Sequence, residues 1–212
     1  NFHLMFTTLL NFCSNDLSAF YFDIRKDSIY CDSLDSSKRR SSRTLLDLIF
    51  NHLVRWLAPS LSFTCEEAWK ARGNKNSIHL EDFLEGKNEY QNVYVNKKWT
   101  IIKDIRKVIT GALEKKRSEK VIGSSLEAHI KIYTTKEIKA EINDINFDEI
   151  AITSSFEILD FSNKNEKFSL DDIEGVCVVV EKSEGKKCNR CWKYKESLSS
   201  QDICNRCEEV IK

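Results

Sequence analysis

The chain has 212 residues, with 33 basic and 33 acidic side chains, eight cysteines and a single proline. That length allows one or two domains, the zero net charge excludes holding a polyanion by bulk charge, and 41% apolar content excludes wholesale disorder. The longest unbroken apolar run, residues 176–180, is far short of the roughly 20 residues a membrane-spanning helix needs.

Residues 1–6 carry no basic stretch and no cleavage site and read as helix at once, which suggests a piece of a longer chain, not a signal peptide. Phe2, Phe6, Leu9, Leu10, Phe12, Cys13, Leu17 and Phe20 recur at three- and four-residue steps, so a helix is expected over 2–20. Residues 21–35 read as polar and turn-like. A second helix is expected from Ser36 through Leu45, Leu46, Ile49, Leu53, Val54 and Leu57, stopping before Pro59. A third is expected from Thr64, with Thr64-Cys65-Glu66-Glu67 as a capping box and Gly73 as its left-handed stop. Residues 74–96 form a connector. A fourth helix carries Trp99, Ile102, Ile105, Ile109, Ala112 and Leu113 on one face and frays toward Gly123. Four striped helices with modest loops are most simply an antiparallel bundle.

After Gly123 the period changes. Ala128, Ile130 and Ile132 alternate with polar neighbours as in a half-buried strand, residues 138–145 read as a short helix, 150–159 as a strand region and 175–181 as a valine-rich strand. The expected fold is therefore mainly α: a helix bundle over 1–120, a small α+β unit over 121–182, and a cysteine-dense module over 183–212.

Eight cysteines are too sparse for a secreted disulfide scaffold, so a reducing compartment, the cytoplasm, is expected. Cys188-Asn189-Arg190-Cys191 and Cys204-Asn205-Arg206-Cys207 are two Cys-x-x-Cys knuckles twelve residues apart. Two thiolates three positions apart on a tight turn converge on one side of a metal, and a second pair completes the tetrahedron of a closed structural zinc site. Cys13, Cys31, Cys65 and Cys177 read as small core hydrophobes.

The zero net charge conceals segregation. Residues 97–120 hold nine basic and three acidic side chains, 136–174 hold four and eleven, and 186–195 hold five basic and none acidic. The last stretch, Lys186, Lys187, Arg190 and Lys193 interleaved with Trp192 and Tyr194, suits unpaired nucleic acid, where cations meet phosphates and rings stack on bases. Trp192 has a second reading, packing beneath the knuckle. Lys38, Arg39, Arg40 and Arg43, and Lys116, Arg117 and Lys120, are further phosphate candidates, although the 97–120 stretch taken alone reads first as a solvated face. The four histidines are scattered, and no residue constellation for catalysis is present.

The run Phe12-Cys13-Ser14-Asn15-Asp16-Leu17-Ser18-Ala19-Phe20-Tyr21-Phe22-Asp23, together with Leu57-Ala58-Pro59, Phe63-Thr64-Cys65-Glu66-Glu67-Ala68-Trp69 and Lys187-Cys188-Asn189-Arg190-Cys191-Trp192, resembles the anticodon-binding helix bundle and zinc-binding C-terminus of bacterial isoleucyl-tRNA synthetases. The resemblance implies a C-terminal fragment whose partner is the tRNA anticodon stem-loop and whose cofactor is one structural zinc. The parent would join isoleucine to tRNA with ATP and magnesium, through catalytic and editing domains that precede this piece. Where the family usually has proline, this chain has Ser62, Leu84 and Asn205. The alternative is a freestanding zinc-knuckle adaptor that binds protein or RNA, with the acidic 136–174 stretch as its contact surface.

Overall fold

The computed structural model describes residues 1–86, 90–161 and 167–212, so parts of the connector 74–96 and of the acidic stretch 136–174 lie outside the described residues. The chain forms two compact units, one made of residues 33–92 and one of residues 1–32 together with 93–212. None of the described helices is long and apolar enough to cross a membrane.

In the unit of residues 33–92, helix α3 spans Ser37–Leu57 and starts where expected, with the Ser36 side chain accepting the Arg39 amide at 3.3 Å. Helix α4 spans Ser62–Ala71, so it starts two residues before the expected cap. Thr64 lies inside it, the Cys65 amide donates to Leu61 O at 2.9 Å, and no side chain caps the helix. The neighbouring Glu66 carboxylate accepts from the Ile78 amide at 2.9 Å and from Ser77 Oγ at 2.8 Å. These bonds tie the 310 turn Ile78–Leu80 to α4. Gly73 ends the helix at φ +86, as expected of a left-handed stop. Val54, Ala58, Cys65, Trp69 and Ile78 form the core of this unit. Against it the Arg55 guanidinium lies 4.7 Å over the Trp69 ring and pairs with Glu81 at 2.9 Å.

The other unit opens on a continuous helical run: α1 (Phe2–Asn11), a π-helical stretch Phe12–Phe22, and α2 (Asp23–Cys31). The polar turn expected over 21–35 is thus mostly helix. Leu17, Ile24, Ser28 and Cys31 are its buried positions, seven, four and three residues apart. Past Ile24 the stripe is carried by a serine and a cysteine, which weakens its apolar signature.

Helix α5 (Val93–Ser118) buries Ile102, Ile105, Val108, Ile109, Ala112 and Leu113, nearly the face expected. Beyond it lies a three-stranded sheet in the order β2-β1-β3, with β1 at Ala128–Thr134, β2 at Ser155–Asp160 and β3 at Val176–Lys182. Strand β1 runs parallel to β2 through helices α6 (Lys136–Ile142) and α7 (Phe147–Ile150), and antiparallel to β3 with Ile130 opposite Val180 and Ile132 opposite Val178. The first part of the strand expected over 150–159 is instead the end of α7 and a turn with Ile152 at φ +57. The helical spacing of Phe147 and Ile150, both buried, decides this. One core joins α5, α6, α7 and the sheet, centred on Ile102, Val108, Ile109, Ile130, Ile132, Ile142 and Phe147, all essentially sealed from solvent.

The last elements are a two-stranded ribbon, β4 (Lys186–Lys187) paired antiparallel with β5 (Tyr194–Lys195), and helix α8 (Asn205–Ile211). Ser62 and Asn205 are the first residues of α4 and α8, positions where a proline fits without losing a helical hydrogen bond. The architecture is mainly α, with a small α+β part and a cysteine knuckle at the C-terminal end.

Candidate metal centre and nucleic-acid interface

The ribbon and α8 bring the four knuckle cysteines together. Gly185, at φ +91, enters the ribbon so close to Lys195 that an added Cβ would lie 2.3 Å from its carbonyl oxygen. The first knuckle follows β4: the Trp192 amide closes its turn on Cys188 O and the Cys188 amide reaches Lys193 O, each at 2.9 Å. The second knuckle straddles the start of α8, with Cys204 as the capping residue and Cys207 in the first turn. The Asn189 amide bonds Asp202 O at 2.9 Å and the Cys204 amide points at Cys188 Sγ at 3.3 Å, which locks one knuckle to the other.

The four sulfurs of Cys188, Cys191, Cys204 and Cys207 all lie within 4.8 Å of one another, and none forms a disulfide. The sulfurs of Cys191 and Cys204 are 3.8 Å apart. A tetrahedron with metal–sulfur arms of about 2.3 Å has edges of about 3.8 Å, so the spacing and the all-thiol donor set fit a closed, structural metal site. Burial opposes thiolate formation at Cys188, but the amides of Cys191, Cys204 and Arg190 outweigh it and bring that thiol down to about 6. Burial raises Cys191, and pushes Cys207 up to about 11. One thiol is thus readily ionised while two resist, and a divalent cation at the centre supplies the charge that lets the rest ionise.

Two of the basic residues expected to face nucleic acid are already occupied. Lys193 is buried, its ammonium 2.8 Å from Asp148 Oδ2. Arg190 donates from Nη1 to Cys31 O at 2.6 Å and from Nη2 to Tyr30 O at 3.3 Å. Tyr194 is half-buried in β5, its amide bound to Ser154 Oγ at 2.6 Å. Lys186, Lys187 and Trp192 are exposed. The Lys187 ammonium lies 5.0 Å over the Trp192 ring, which is 58% exposed and stands on a left-handed backbone at φ +66. Trp192 therefore does not pack beneath the knuckle: the less usual backbone geometry turns a large apolar ring outward.

Lys38, Arg40 and Arg43 are exposed and Arg39 is half-buried in the first turns of α3, where the helix dipole disfavours cations and favours an anion. On α5, Lys116 pairs with Glu119 at 2.7 Å, Arg117 pairs with Glu114, and Lys120 follows the helix on a left-handed backbone, exposed. Elsewhere on the same helix Lys98, Lys103 and Lys107 pair with Asp144, Asp16 and Asp104. Three of these five pairs use acids of residues 97–120 themselves, so Asp144 and Asp16 offset two of the six excess positive charges of that stretch.

Sequence reasoning missed the residues that seat the metal module. Cys31 belongs to the same buried cluster as the quartet, with its thiol 3.9 Å from Arg190 O. Burial, reinforced by Asp27, raises its pKa, consistent with a neutral thiol. Arg206 pairs with Asp27 at 2.8 Å and lies 3.0 Å from Asp32 Oδ1, and these two acids hold its pKa above the usual value although burial opposes it. The only sequence signal for these contacts is the arginine repeated at the third place of both knuckles.

Residues 1–132 match the family described as the anticodon-binding domain of tRNA ligase. The chain is 43% identical over 202 residues to the isoleucine–tRNA ligase of Bartonella quintana (strain Toulouse), covering 94% of this chain and 21% of that protein. It is 42% identical over 217 residues to the isoleucine–tRNA ligase of Ruegeria pomeroyi, covering 100% of this chain and 22% of that protein. With the isoleucine–tRNA ligase of Mesorhizobium japonicum it is 45% identical over 192 residues, 88% of this chain and 19% of that protein. The chain thus spans about a fifth of the length of the curated relatives it matches.

Proposed function

Since the chain belongs to the family of tRNA-ligase anticodon-binding domains, we propose that it is the C-terminal, anticodon-holding part of an isoleucine–tRNA ligase working in the cytoplasm. The observation that carries this reading is the 42–45% identity to isoleucine–tRNA ligases over 88–100% of the chain. In this proposal residues 1–120 are the anticodon-binding helices, 121–182 a connecting unit and 183–212 the zinc module. The reaction, joining isoleucine to tRNA with ATP and magnesium, belongs to catalytic and editing domains elsewhere in the parent protein.

The chain's own task is to hold and read an RNA loop. Lys38, Arg39, Arg40 and Arg43 at the start of α3 contribute positive potential for phosphates, as do Lys116, Arg117 and Lys120. Trp192 offers a ring on which an unstacked anticodon base can rest, and Lys186 and Lys187 supply charge beside it. Zinc at Cys188, Cys191, Cys204 and Cys207 would contribute rigidity only, since four protein ligands leave no open position.

The test is binding of the chain to an isoleucine tRNA anticodon stem-loop and to the same stem-loop with a swapped anticodon, over a range of salt. Preference for the first, with affinity falling steeply as salt rises, is the expected result. Equal binding to both at moderate salt overturns base recognition, and no salt-dependent binding to either leaves the protein-binding adaptor as the better account.

A further inference from the structure

Both knuckles read Cys-Asn-Arg-Cys, and the two arginines end on the same turn of the same helix. Arg190 reaches back from the first knuckle to the carbonyls of Tyr30 and Cys31, the last two residues of α2. Carbonyls at a helix C-terminus have no intrahelical partner and carry the negative end of the helix dipole, so a guanidinium satisfies them twice over. Arg206 reaches from the second knuckle to Asp27, inside that last turn, and to Asp32, its capping residue. Cys31 completes the contact: its side chain belongs to the same buried cluster as the four knuckle cysteines, with its thiol 3.9 Å from Arg190 O.

We infer that Arg190 and Arg206 are positioning residues: a two-pronged clamp that couples occupancy of the metal site to the order of the last turn of α2, and not contacts to RNA. A cysteine knuckle aims its thiols inward at the ion, and here the arginine of each turn reaches onto the helix, the Arg190 guanidinium also hydrogen-bonding the Cys207 thiol and so touching both partners of the coupling. The clamp has a consequence for the neighbouring surface. Tyr30, 75% exposed, and Trp192 line one cleft of about 420 Å3, walled by Ile24, Leu126 and Ile152. The acids at its rim are each matched by a cation of the chain: Asp23 by Lys26, Asp27 by Arg206, Asp148 by Lys193 and Glu149 by Arg25. The walls therefore present neutral, largely apolar surface, and the separation of the two exposed rings is set by the clamp. Only this last point, the bearing of the clamp on RNA, rests on the anticodon reading above.

The experiment uses the full zinc-loaded chain and its Arg190→Ala and Arg190→Lys variants, with two readouts. Hydrogen exchange at the amides of residues 28–32 is expected to speed up about tenfold or more in Arg190→Ala, and likewise in the wild type after zinc is chelated, with partial recovery in Arg190→Lys. Binding of the isoleucine tRNA anticodon stem-loop to Arg190→Ala is expected to weaken with the slope of log affinity against log salt unchanged. The clamp is overturned if exchange at 28–32 stays at the wild-type rate, or if the salt slope falls by about 0.7–0.9, the signature of one lost phosphate contact. Should Arg190→Ala disturb the knuckle itself, Asp27→Asn removes an anchor on the helix side and leaves the metal module's sequence intact. It is expected to raise exchange over the same amides, and wild-type rates there refute the coupling. If the wild type shows no salt-dependent RNA binding, the anticodon reading fails while hydrogen exchange still decides the clamp.

Discussion

Lys193 separates a folding role from an RNA-binding role most sharply. Its ammonium sits 2.8 Å from Asp148 Oδ2, with the two side chains only 7% and 16% exposed, and Asp148 Oδ1 is buried without a hydrogen-bond partner. At an effective dielectric of about 20 the pair attraction at this distance is about 6 kcal/mol, set against a desolvation penalty of several kcal/mol for each ion. The net worth of the pair is therefore small, but removing one partner strands the other. Lys193→Met should destabilise the unit of residues 1–32 and 93–212 by about 3–5 kcal/mol, because Asp148 is left charged, buried and uncompensated. The Lys193→Met, Asp148→Leu double variant should recover most of that loss, since two apolar side chains need no counter-ion. Urea unfolding of the zinc-loaded proteins, followed by tryptophan fluorescence, measures both, with unchanged m-values required for a clean comparison. A Lys193→Met protein within about 0.5 kcal/mol of wild type that has lost RNA affinity would refute this reasoning and return Lys193 to the RNA surface.

Three further outcomes follow from the same geometry. Gly185→Ala should destabilise the metal module by at least about 2 kcal/mol, through a positive φ and a Cβ driven into the Lys195 carbonyl, and is measured as weaker zinc retention in a chelator competition. Asn205→Pro should stabilise the chain by about 0.4–1 kcal/mol in thermal melting, because position 205 opens α8 and the preceding Cys204 is already extended at φ −75, ψ 158. The backbone hydrogen bond from Ile78, then that of Ser77, holds the Glu66 carboxyl below its ordinary value of 4.5, so its contribution is complete above that value and is lost as pH falls through the lowered one. Glu66→Gln should accordingly flatten the acid limb of stability of residues 33–92, and an unchanged acid limb in pH-dependent unfolding would exclude the assignment.

What could be read from the sequence were features encoded by short, regular spacing. The alternation Ala128, Ile130, Ile132 located β1, the stripe from Ile102 to Leu113 located α5, and two Cys-x-x-Cys pairs located the metal site. Elements were misread where polar residues occupy structural positions. Ser28 inside the buried stripe hid the continuation of the first helical run, and Thr64, a good capping residue by type, lies within α4 because the helix starts at Ser62. The chemistry of the knuckle was legible, but the use of its charges was not. Lys193 and Arg190 have the composition of an RNA surface, and their partners Asp148, Tyr30 and Cys31 lie 45 to 160 residues away. Sequence periodicity carries no information at that range, so only the folded chain distinguishes a cation that anchors from one that is free to meet a phosphate.

The clamp between Arg190 and Cys31 joins residues 159 positions apart. At a synthesis rate of roughly 5–20 residues per second, about 8–32 s pass between the emergence of Cys31 and that of Arg190 from a ribosome. Throughout that interval Cys31 lacks its partners, whereas Ile24 meets its own as residues 102–180 emerge, and Phe2, Leu4 and Leu10 remain exposed even in the finished fold. The end of α2 is therefore a surface waiting for the last thirty residues of the chain, and its final docking can occur only after those residues have been made. Truncation before the second knuckle should leave that surface permanently available to chaperones.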